Sequence, residues 1–332
     1  MTQCVNWKGK KMGGNAKEKR KLDLGQKGGL IILAVIICIF FTIETKGIFL
    51  SGQNIKNVLV SASLNGVIGM GMTFVLITGG IDLSVTGNII MISLLIAKMM
   101  VAGMAWPLCL LTALVIGSVV GVINGISVGK FGMVAFIVTM AMNLITTGIG
   151  KLSTNGLTLY GFPKIHGIFS KSLYGVIPAP VIIMIVIAVI AYMVLNYTNY
   201  GRKLYAVGGN PKAAWMSGIH NARIIIVTYI ISGFLCGLGA IMMTSKLMSA
   251  SSTMISNTEM DAIAAAVLGG TSLSGGVGGV TGTVLGAITI AMITNGLSMI
   301  GVSPYAQEVA KGVIIFAVVA LDAAQKMRKT KE

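Results

Sequence analysis

Long apolar runs follow one another along almost the whole chain, and they limit the possible folds more than any other feature. A run of about 18 or more apolar residues can cross a hydrocarbon core of roughly 30 Å as an α-helix. Of the 332 residues, 55% are hydrophobic, only 10% are charged, and the mean hydropathy is +0.89, whereas soluble domains carry about 25% charged residues. The sequence therefore predicts an all-α polytopic membrane protein without a soluble catalytic domain.

The positions of the runs predict ten membrane-spanning helices. We place them at about residues 28–43, 57–78, 85–103, 106–128, 132–149, 176–196, 223–245, 260–275, 279–300 and 306–322. They form a transmembrane domain over 28–322, between basic tails over 1–27 and 323–332. The longest connections are an outer loop at about 150–175, with room for a short surface helix, and an inner loop at about 197–222.

The distribution of basic residues sets the expected orientation. The formal charge is +16, and eight of the 25 basic residues precede residue 30. In polytopic proteins such a cluster marks a cytoplasmic flank and attracts anionic lipid of the bilayer. Alternation from an inner N-terminus puts both termini and most Lys and Arg on the cytoplasmic side. We therefore expect no nucleic-acid binding, and we expect 79–84 near the inner face and the start of the 260–275 span near the outer face.

Metal chemistry has little support in this sequence. The 4 cysteines show no C-x-x-C spacing, and the 2 histidines lie far apart. The 22 methionines are scattered through the apolar runs, as expected for packing residues. We expect no metal site.

The stretch T-G-G-I-D-L-S-V-T-G at 78–87 places a lone carboxylate, Asp82, in an apolar run. A charge at the centre of a membrane helix costs roughly 2.5 to 3.5 kcal/mol, so Asp82 should face a protein interior or a water-filled cavity. Gly79 and Gly80 are expected to break the helix, and Asp82 and Ser84 to cap the next one. Three roles stay open for Asp82: a helix cap, a contact with a transported solute, and a gating hydrogen bond.

Other polar residues in or beside the predicted spans are candidates for the same pathway or its gate. They are Asn65, Ser84, Asn88, Glu259 and Asp261. The two acids open the 260–275 span, where negative charge favours the helix dipole. Stabilisation of that helix and a place in an outer gate or docking rim are both open for them.

Glycine is dense from Gly269 to Gly286, but no G-K-[ST] follows as in a phosphate-binding loop. Gly278, Gly282 and Gly286 are spaced four residues apart, which favours close helix packing in lipid. An unwound segment lining a pathway is the alternative.

Two pairs of short segments suggest an internal repeat. G-G-I-D-L-S at 79–84 resembles G-G-T-S-L-S at 269–274, and N-G-I-S at 124–127 resembles N-G-L-S at 295–298. Duplicated halves around a midplane pathway are common in transporters. We therefore expect that the domain is built from two diverged halves.

The inner loop contains a predicted short helix. Asn210 before Pro211 has the pattern of an N-cap followed by proline at the first helical position, and Gly218 follows Lys212–Ser217 as a stop. An exposed cytoplasmic helix is a candidate docking element, with an ordinary ordered loop as the alternative.

Several motifs together resemble a known family. They are G-M-T-F-V-L-I-T-G-G-I-D-L-S-V at 71–85, Y-A-V-G-G-N-P-K-A-A-W-M-S-G-I at 205–219, E-M-D-A-I-A-A-A-V-L-G-G-T-S-L-S-G-G-V-G at 259–278 and N-G-L-S-M-I-G-V-S-P-Y at 295–305. They strongly resemble the permease of bacterial ribose/galactose-type ABC sugar importers. The resemblance covers nearly all of the chain after about residue 28.

This resemblance implies a subunit that transports a monosaccharide and is not itself an enzyme. It implies a bacterial cytoplasmic (inner) membrane location, a second permease copy as a homodimer, an extracytoplasmic sugar-binding protein, and cytoplasmic ATPase subunits. ATP and Mg would be bound by the ATPase, so no cofactor is expected in this chain. An ion-coupled secondary transporter that uses Asp82 is the alternative.

By position, the resemblance also implies which residues dock on the ATPase. They are Gly208, Gly209, Asn210, Ala213, Ala214, Ser217 and Gly218. The chain departs from the family pattern at Met260, where leucine is usual, and at Thr86, where glycine is common. The second change implies a less flexible backbone at Thr86 than in relatives.

Overall fold

The computed structural model describes residues 14–173 and 177–331, which form twelve α-helices and four two-residue strands. The helices are α1 (Gly14–Glu44), α2 (Gly52–Ile77), α3 (Val85–Val101), α4 (Trp106–Gly129), α5 (Ala135–Thr154), α6 (Ala179–Tyr197), α7 (Asn199–Gly209), α8 (Pro211–Met216), α9 (Asn221–Leu247), α10 (Thr258–Leu268), α11 (Val280–Met299) and α12 (Pro304–Lys331). The strands are β1 (Leu159–Tyr160), β2 (Ser172–Leu173), β3 (Ile177–Pro178) and β4 (Ser249–Ala250). Two 3₁₀ helices cover Ile48–Leu50 and Lys164–Phe169.

The prediction of a helical membrane protein is confirmed. Among the described helices, six are long and apolar enough to cross a membrane, namely α2, α4, α5, α6, α9 and α11. Gly28–Glu44 and Val85–Val101 form shorter apolar helices. The ten-span count, the two diverged halves and the cytoplasmic placement of both termini stay predictions. Residues 1–13 and 332 of the predicted basic tails lie outside the described residues.

One predicted span is wrong. The sequence suggested a helix over 260–275, but α10 ends at Leu268. Gly270 has a φ of +89°, which ends the helix, and no helix forms again before Val280. The 11 residues of α10 rise roughly 16 Å, about half of a hydrocarbon core. The helix therefore lies within the protein without crossing the membrane.

The centre of the protein is α2, which packs against α6, α9, α10 and α11. In its most apolar 18-residue window 78% of the residues are buried, against 17% in α5. Met70, Met72 and Phe74 are almost fully buried in this core. Peripheral helices expose large apolar side chains such as Leu144 and Ile185, as expected of surfaces that face lipid.

Two helix pairs approach closely through glycine. A Cβ atom on Gly117 of α4 would overlap the Gly233 carbonyl oxygen of α9, and one on Gly121 would overlap that of Tyr229. The sequence did not predict this contact. The predicted close packing at Gly282 and Gly286 is confirmed, since Gly286 meets the backbone of Ala265 in α10 and Gly282 meets that of Gly269, the residue after α10. Gly278, however, precedes α11, so it is not part of that helix contact.

Segments that were predicted on the outer side contact one another. Strand β1 from the outer loop pairs antiparallel with β4, which follows α9. The short helix predicted for this loop is confirmed as the 3₁₀ helix over Lys164–Phe169. Its His166 is buried, with Nδ1 accepting a hydrogen bond from Trp106 Nε1 at 3.2 Å. Its Nε2 therefore carries the proton and donates to Thr244 Oγ1 at 2.9 Å.

Segments predicted on the inner side also meet. The Gly276 amide donates to the Ile77 carbonyl oxygen at 2.9 Å. Gly208 of α7 packs so closely on the same carbonyl that any Cβ there would overlap it. These contacts join the chain after α2, the chain after α10 and the inner loop, all three of which were predicted on the inner side.

The α4–α9 contact yields a stability prediction. Gly117→Val should force the two helices apart and lower the free energy of unfolding by about 1 to 3 kcal/mol. The measurement is the thermal unfolding midpoint of purified protein in detergent. Gly148→Val in α5 is the matched control, because no atom lies within 4 Å of the added Cβ. Equal midpoints for the two variants would contradict the close approach.

The buried imidazole yields a pH prediction. Burial lowers the pKa of His166 from 6.5 to about 4, so the unfolded chain takes up a proton first as the pH falls. The stability contributed by neutral His166 is therefore fully present above about pH 6.5, and it declines as the pH falls toward about 4. His166→Gln keeps an acceptor for Trp106 and a donor for Thr244 but does not titrate. Its unfolding midpoint should fall less than that of wild type over this pH range, and identical curves would contradict the assignment.

Candidate functional site

The predicted helix break after α2 is confirmed. Gly79 has a φ of +82°, a conformation that glycine adopts without strain. The Gly79 amide donates to Leu76 O at 2.9 Å and the Gly80 amide to Val75 O at 3.2 Å. This is the Schellman pattern, which satisfies the last carbonyls of a helix. The chain can therefore leave the helix without losing these hydrogen bonds.

The segment after the break turns back between the helices. The Ile81 carbonyl accepts hydrogen bonds from Thr139 of α5 and Tyr229 of α9 at 3.2 and 3.3 Å. Asp82 Oδ2 accepts one from Ser232 of α9 at 2.7 Å. The Cα atom of Ser232 lies 3.2 Å from the position of a Cβ on Gly71. Asp82 is therefore level with Gly71, about 9 Å before the end of α2.

Asp82 joins the start of α3 to α9. Its Oδ1 accepts from the Ser84 amide at 3.0 Å and from Ser84 Oγ at 2.6 Å. Only 2% of Asp82 is exposed, and among the described residues no basic side chain forms an ion pair with it. The carboxylate is thus held by hydrogen bonds alone, which charged acceptors make stronger than neutral ones.

The predicted capping by Ser84 is wrong. Ser84 is the N-cap residue of α3, but its side chain makes no capping hydrogen bond. Its hydroxyl donates to Asp82 and accepts from Asn124 Nδ2 at 2.9 Å. The capping acceptor is Asn143 Oδ1 of α5, which binds the Gly87 amide at 2.7 Å. A side chain distant in sequence therefore stabilises the first turn of α3.

The amide candidates differ in their surroundings. Asn65 lies half-buried on α2, whereas Asn88 is 1% exposed on α3. Buried Asn88 Oδ1 and Asn124 Oδ1 have no hydrogen-bond partner in the described part of the chain. A buried acceptor without a donor costs about 1 to 3 kcal/mol. Two buried oxygens near the start of α3, one on α3 and one on α4, would thus be stabilised by an added donor.

The acidic candidates lie in the first turn of α10, as predicted. Glu259 is buried and accepts a hydrogen bond from the Thr86 hydroxyl. Asp261 forms an ion pair of 3.0 Å with Lys311 of α12. Thr86 is four residues from Asp82, so the prediction that the 79–84 break and the start of the 260–275 span lie near opposite faces is wrong. The first turns of α3 and α10 are in direct contact.

The two repeat-like glycine segments also lie side by side. A Cβ on Gly79 would lie 3.8 Å from the Ser274 carbonyl oxygen, and one on Gly275 would lie 3.0 Å from the Gly79 amide nitrogen. The chain breaks after α2 and after α10 therefore support each other. Their likeness in sequence corresponds to a shared position at the ends of neighbouring helices.

The inner loop contains two helices where one was predicted. The predicted helix is α8, and Asn210 Oδ1 caps it by accepting from the Ala213 amide at 3.0 Å. The second helix is α7, capped by Thr198, which accepts from the Gly201 amide at 3.2 Å. The sequence-based prediction left this stretch as part of the inner loop.

The predicted docking residues divide by exposure. The exposed ones are Gly209, Asn210, Ala213, Ser217 and Gly218, whereas Ala214 is buried and Gly208 packs on α2. The most prominent side chains of α8 are Trp215 and Met216, which are 71% and 81% exposed. Exposed aromatic and methionine side chains are typical of protein interfaces. Neither was among the predicted docking residues, although two large apolar residues in a polar loop were a usable signal.

The sequence did not predict the side chains that bond around the break. They are Thr86, Asn124, Thr139, Asn143, Tyr229 and Ser232. Each is a polar residue within an apolar run, which is the signal that selected Asp82. Nothing in sequence spacing shows that they meet, because they lie on α3, α4, α5 and α9.

Helices that begin inside the protein after a break in the chain are typical of membrane transport proteins. A family model described as the permease component of branched-chain amino acid transport systems matches residues 54–319. The chain belongs to this permease family.

Its relatives are named as sugar permeases, which confirms the resemblance inferred from the motifs. The ribose import permease of Bacillus subtilis (strain 168) is 41% identical over 301 residues, covering 90% of this chain and 92% of the relative. That of Escherichia coli (strain K12) is 36% identical, with 91% and 95% covered. The galactose/methyl galactoside import permease of Haemophilus influenzae is 30% identical, with 95% and 99% covered. No solved structure matches the chain significantly.

The contacts of Asp82 predict how substitutions rank. Asp82→Ala leaves three donors without their acceptor and should lower the free energy of unfolding by about 1 to 3 kcal/mol. Asp82→Asn keeps one oxygen for Ser84 and turns an amide donor toward Ser232, so it should lose less stability than Asp82→Ala. Ser232→Ala removes one hydrogen bond to Asp82 and is the control for the loss of a single bond. Thermal unfolding in detergent measures all three, and an Asn variant as unstable as the Ala variant would refute this hydrogen-bonding role.

Proposed function

We propose that the chain is the membrane permease of an ATP-driven importer for a monosaccharide of the ribose/galactose class in the bacterial cytoplasmic membrane. It receives the sugar from an extracytoplasmic binding protein and works as a pair of identical copies with a cytoplasmic ATPase. The names and high coverage of the ribose, allose and galactose relatives support this proposal.

The arrangement of α7 and α8 carries the proposal. The exposed Trp215 and Met216 project from α8, while Gly208 of α7 packs on the last carbonyl of α2. Tyr205 Oη of α7 donates to Gly278 O at 2.8 Å. A protein bound at α8 therefore has a short route of packed contacts to both interior breaks, as required of an ATPase that drives transport.

The pathway is proposed to pass the first turns of α3 and α10. Helix breaks that place backbone groups inside a membrane protein are typical of transporter binding sites. Sugar hydroxyls are donors, and Asn88 Oδ1 and Asn124 Oδ1 are buried oxygens that lack a donor. Both are inaccessible here, so access requires movement of the surrounding helices. That requirement favours alternating access, in which ATP binding and hydrolysis change the open side.

Uptake into proteoliposomes tests the proposal. The permease is reconstituted with a partner ATPase and sugar-binding protein from the same genome, and entry of radiolabelled ribose, allose and galactose is followed. We expect entry only with ATP and both partners. Entry driven by a sodium or proton gradient without the ATPase would contradict the proposal and favour an ion-coupled transporter that uses Asp82.

The exposed side chains of α8 give a separate prediction. Ala213→Glu and Trp215→Ser should each reduce ATPase co-purification and sugar uptake by about tenfold or more, because few interface residues carry most of the binding energy. Leu157→Ser is the matched control, since Leu157 is 66% exposed on the predicted outer side. Membrane levels should be equal in all variants. Normal ATPase retention in both α8 variants would refute the docking role.

A further inference from the structure

Helix α10 lacks a cap from its own chain segment. Its N-cap residue, Asn257, is left-handed with a φ of 52° and makes no side-chain capping bond. The Thr86 hydroxyl of α3 accepts from the Thr258 amide at 3.0 Å and the Glu259 amide at 3.4 Å. Two N–H groups at this helix start are therefore satisfied by a side chain 172 and 173 positions earlier in the chain.

The same hydroxyl also has an acceptor on α10. Thr86 Oγ1 donates its hydrogen to Glu259 Oε2, so one hydroxyl joins two amides and one carboxylate of the α10 first turn. Thr86 is 8% exposed and Glu259 is 7% exposed. Little water is available to replace these bonds, and separating α3 from α10 would leave the buried groups unpaired.

The opposite end of α10 leads to the docking helices. The segment that follows α10 donates from Gly276 to Ile77 O and accepts from Tyr205 of α7 at Gly278 O. At the other end, the turn containing Thr86 is fixed to α5 through the Gly87 amide and Asn143. Helix α10 thus lies between the docking helices and the start of α3.

We propose that Thr86 is a positioning residue that couples α10 to α3 during transport. The inference rests on the proposed function. Movement received at α7 reaches the segment after α10, and the Thr86 hydroxyl transmits the displacement of α10 to the first turn of α3. The Asp82 contacts lie immediately before this turn, so the rearrangement reaches the break that the proposed pathway passes.

Two changes at Thr86 separate the role of the hydroxyl from that of side-chain volume. Thr86→Val keeps the shape and removes the hydrogen bonds, whereas Thr86→Ser loses a methyl group and keeps the hydroxyl. Thr112→Val is the matched control, because Thr112 is half-buried on α4 and its hydroxyl donates within its own helix, to Leu108 O. In the reconstituted complex we expect Thr86→Val to transport about tenfold less ribose per ATP hydrolysed than wild type. Thr86→Ser and Thr112→Val should stay within about twofold of the wild-type ratio of ribose transported to ATP hydrolysed.

Amide hydrogen exchange tests the contact independently of transport. In the purified permease alone, residues 258–262 should exchange faster in Thr86→Val than in wild type, and at the wild-type rate in Thr86→Ser. Uptake by wild type without ATP would show that the importer assignment fails. The difference in exchange should persist even in that case. A wild-type exchange rate in Thr86→Val would overturn the contact between Thr86 and α10. A wild-type ratio of sugar transported to ATP hydrolysed in the same variant would overturn the coupling.

Glu259 provides a second variant. Glu259→Gln retains an oxygen that accepts the Thr86 hydroxyl, whereas Glu259→Leu does not. If the two residues act together, Thr86→Val should lower the ratio of sugar transported to ATP hydrolysed much less in the Glu259→Leu variant than in the wild-type protein. Additive losses would overturn the proposed joint action.

Discussion

Pairing of backbone polar groups away from water is the constraint on which this structure depends. A continuous helix satisfies it internally, but α3 and α10 both begin at buried residues inside the protein, where free N–H groups are costly. Each break is therefore satisfied by other elements. Asn143 and Thr86 bind amides at the starts of α3 and α10, and the Gly276 amide binds the last carbonyl of α2.

This constraint explains why small and polar residues occur in such apolar sequence. Gly208 lets α7 approach the Ile77 carbonyl, and Gly79 permits the left-handed turn after α2. Asp82 then draws Ser84 and Ser232 into one buried hydrogen-bonded group. The breaks are thus held by several hydrogen bonds, and α7, which contacts them, is joined to the exposed helix α8. This arrangement is the basis of the proposed transmission of movement from α8 to the interior.

The sequence predicted local features better than their assembly. Periodic apolar runs located most helices, and Asn210-Pro211 located the start of α8, because these signals depend on neighbouring residues alone. The length of α10 was mispredicted, since apolar composition continues past Leu268 and Gly270 ends the helix. The contact of Thr86 with Glu259 joins residues 173 positions apart. No local pattern encodes such a pairing. The prediction therefore relied on alternating spans, which placed the starts of α3 and α10 near opposite sides of the membrane.

The central claim is that the first turns of α3 and α10 meet inside the protein. A variant carrying Thr86→Cys and Glu259→Cys, with the native cysteines replaced by serine, tests it by oxidative cross-linking in membrane vesicles. We predict that the two cysteines form a disulfide and resist a membrane-impermeant maleimide before oxidation. No disulfide, with each cysteine labelled from a different side of the membrane, would contradict the account.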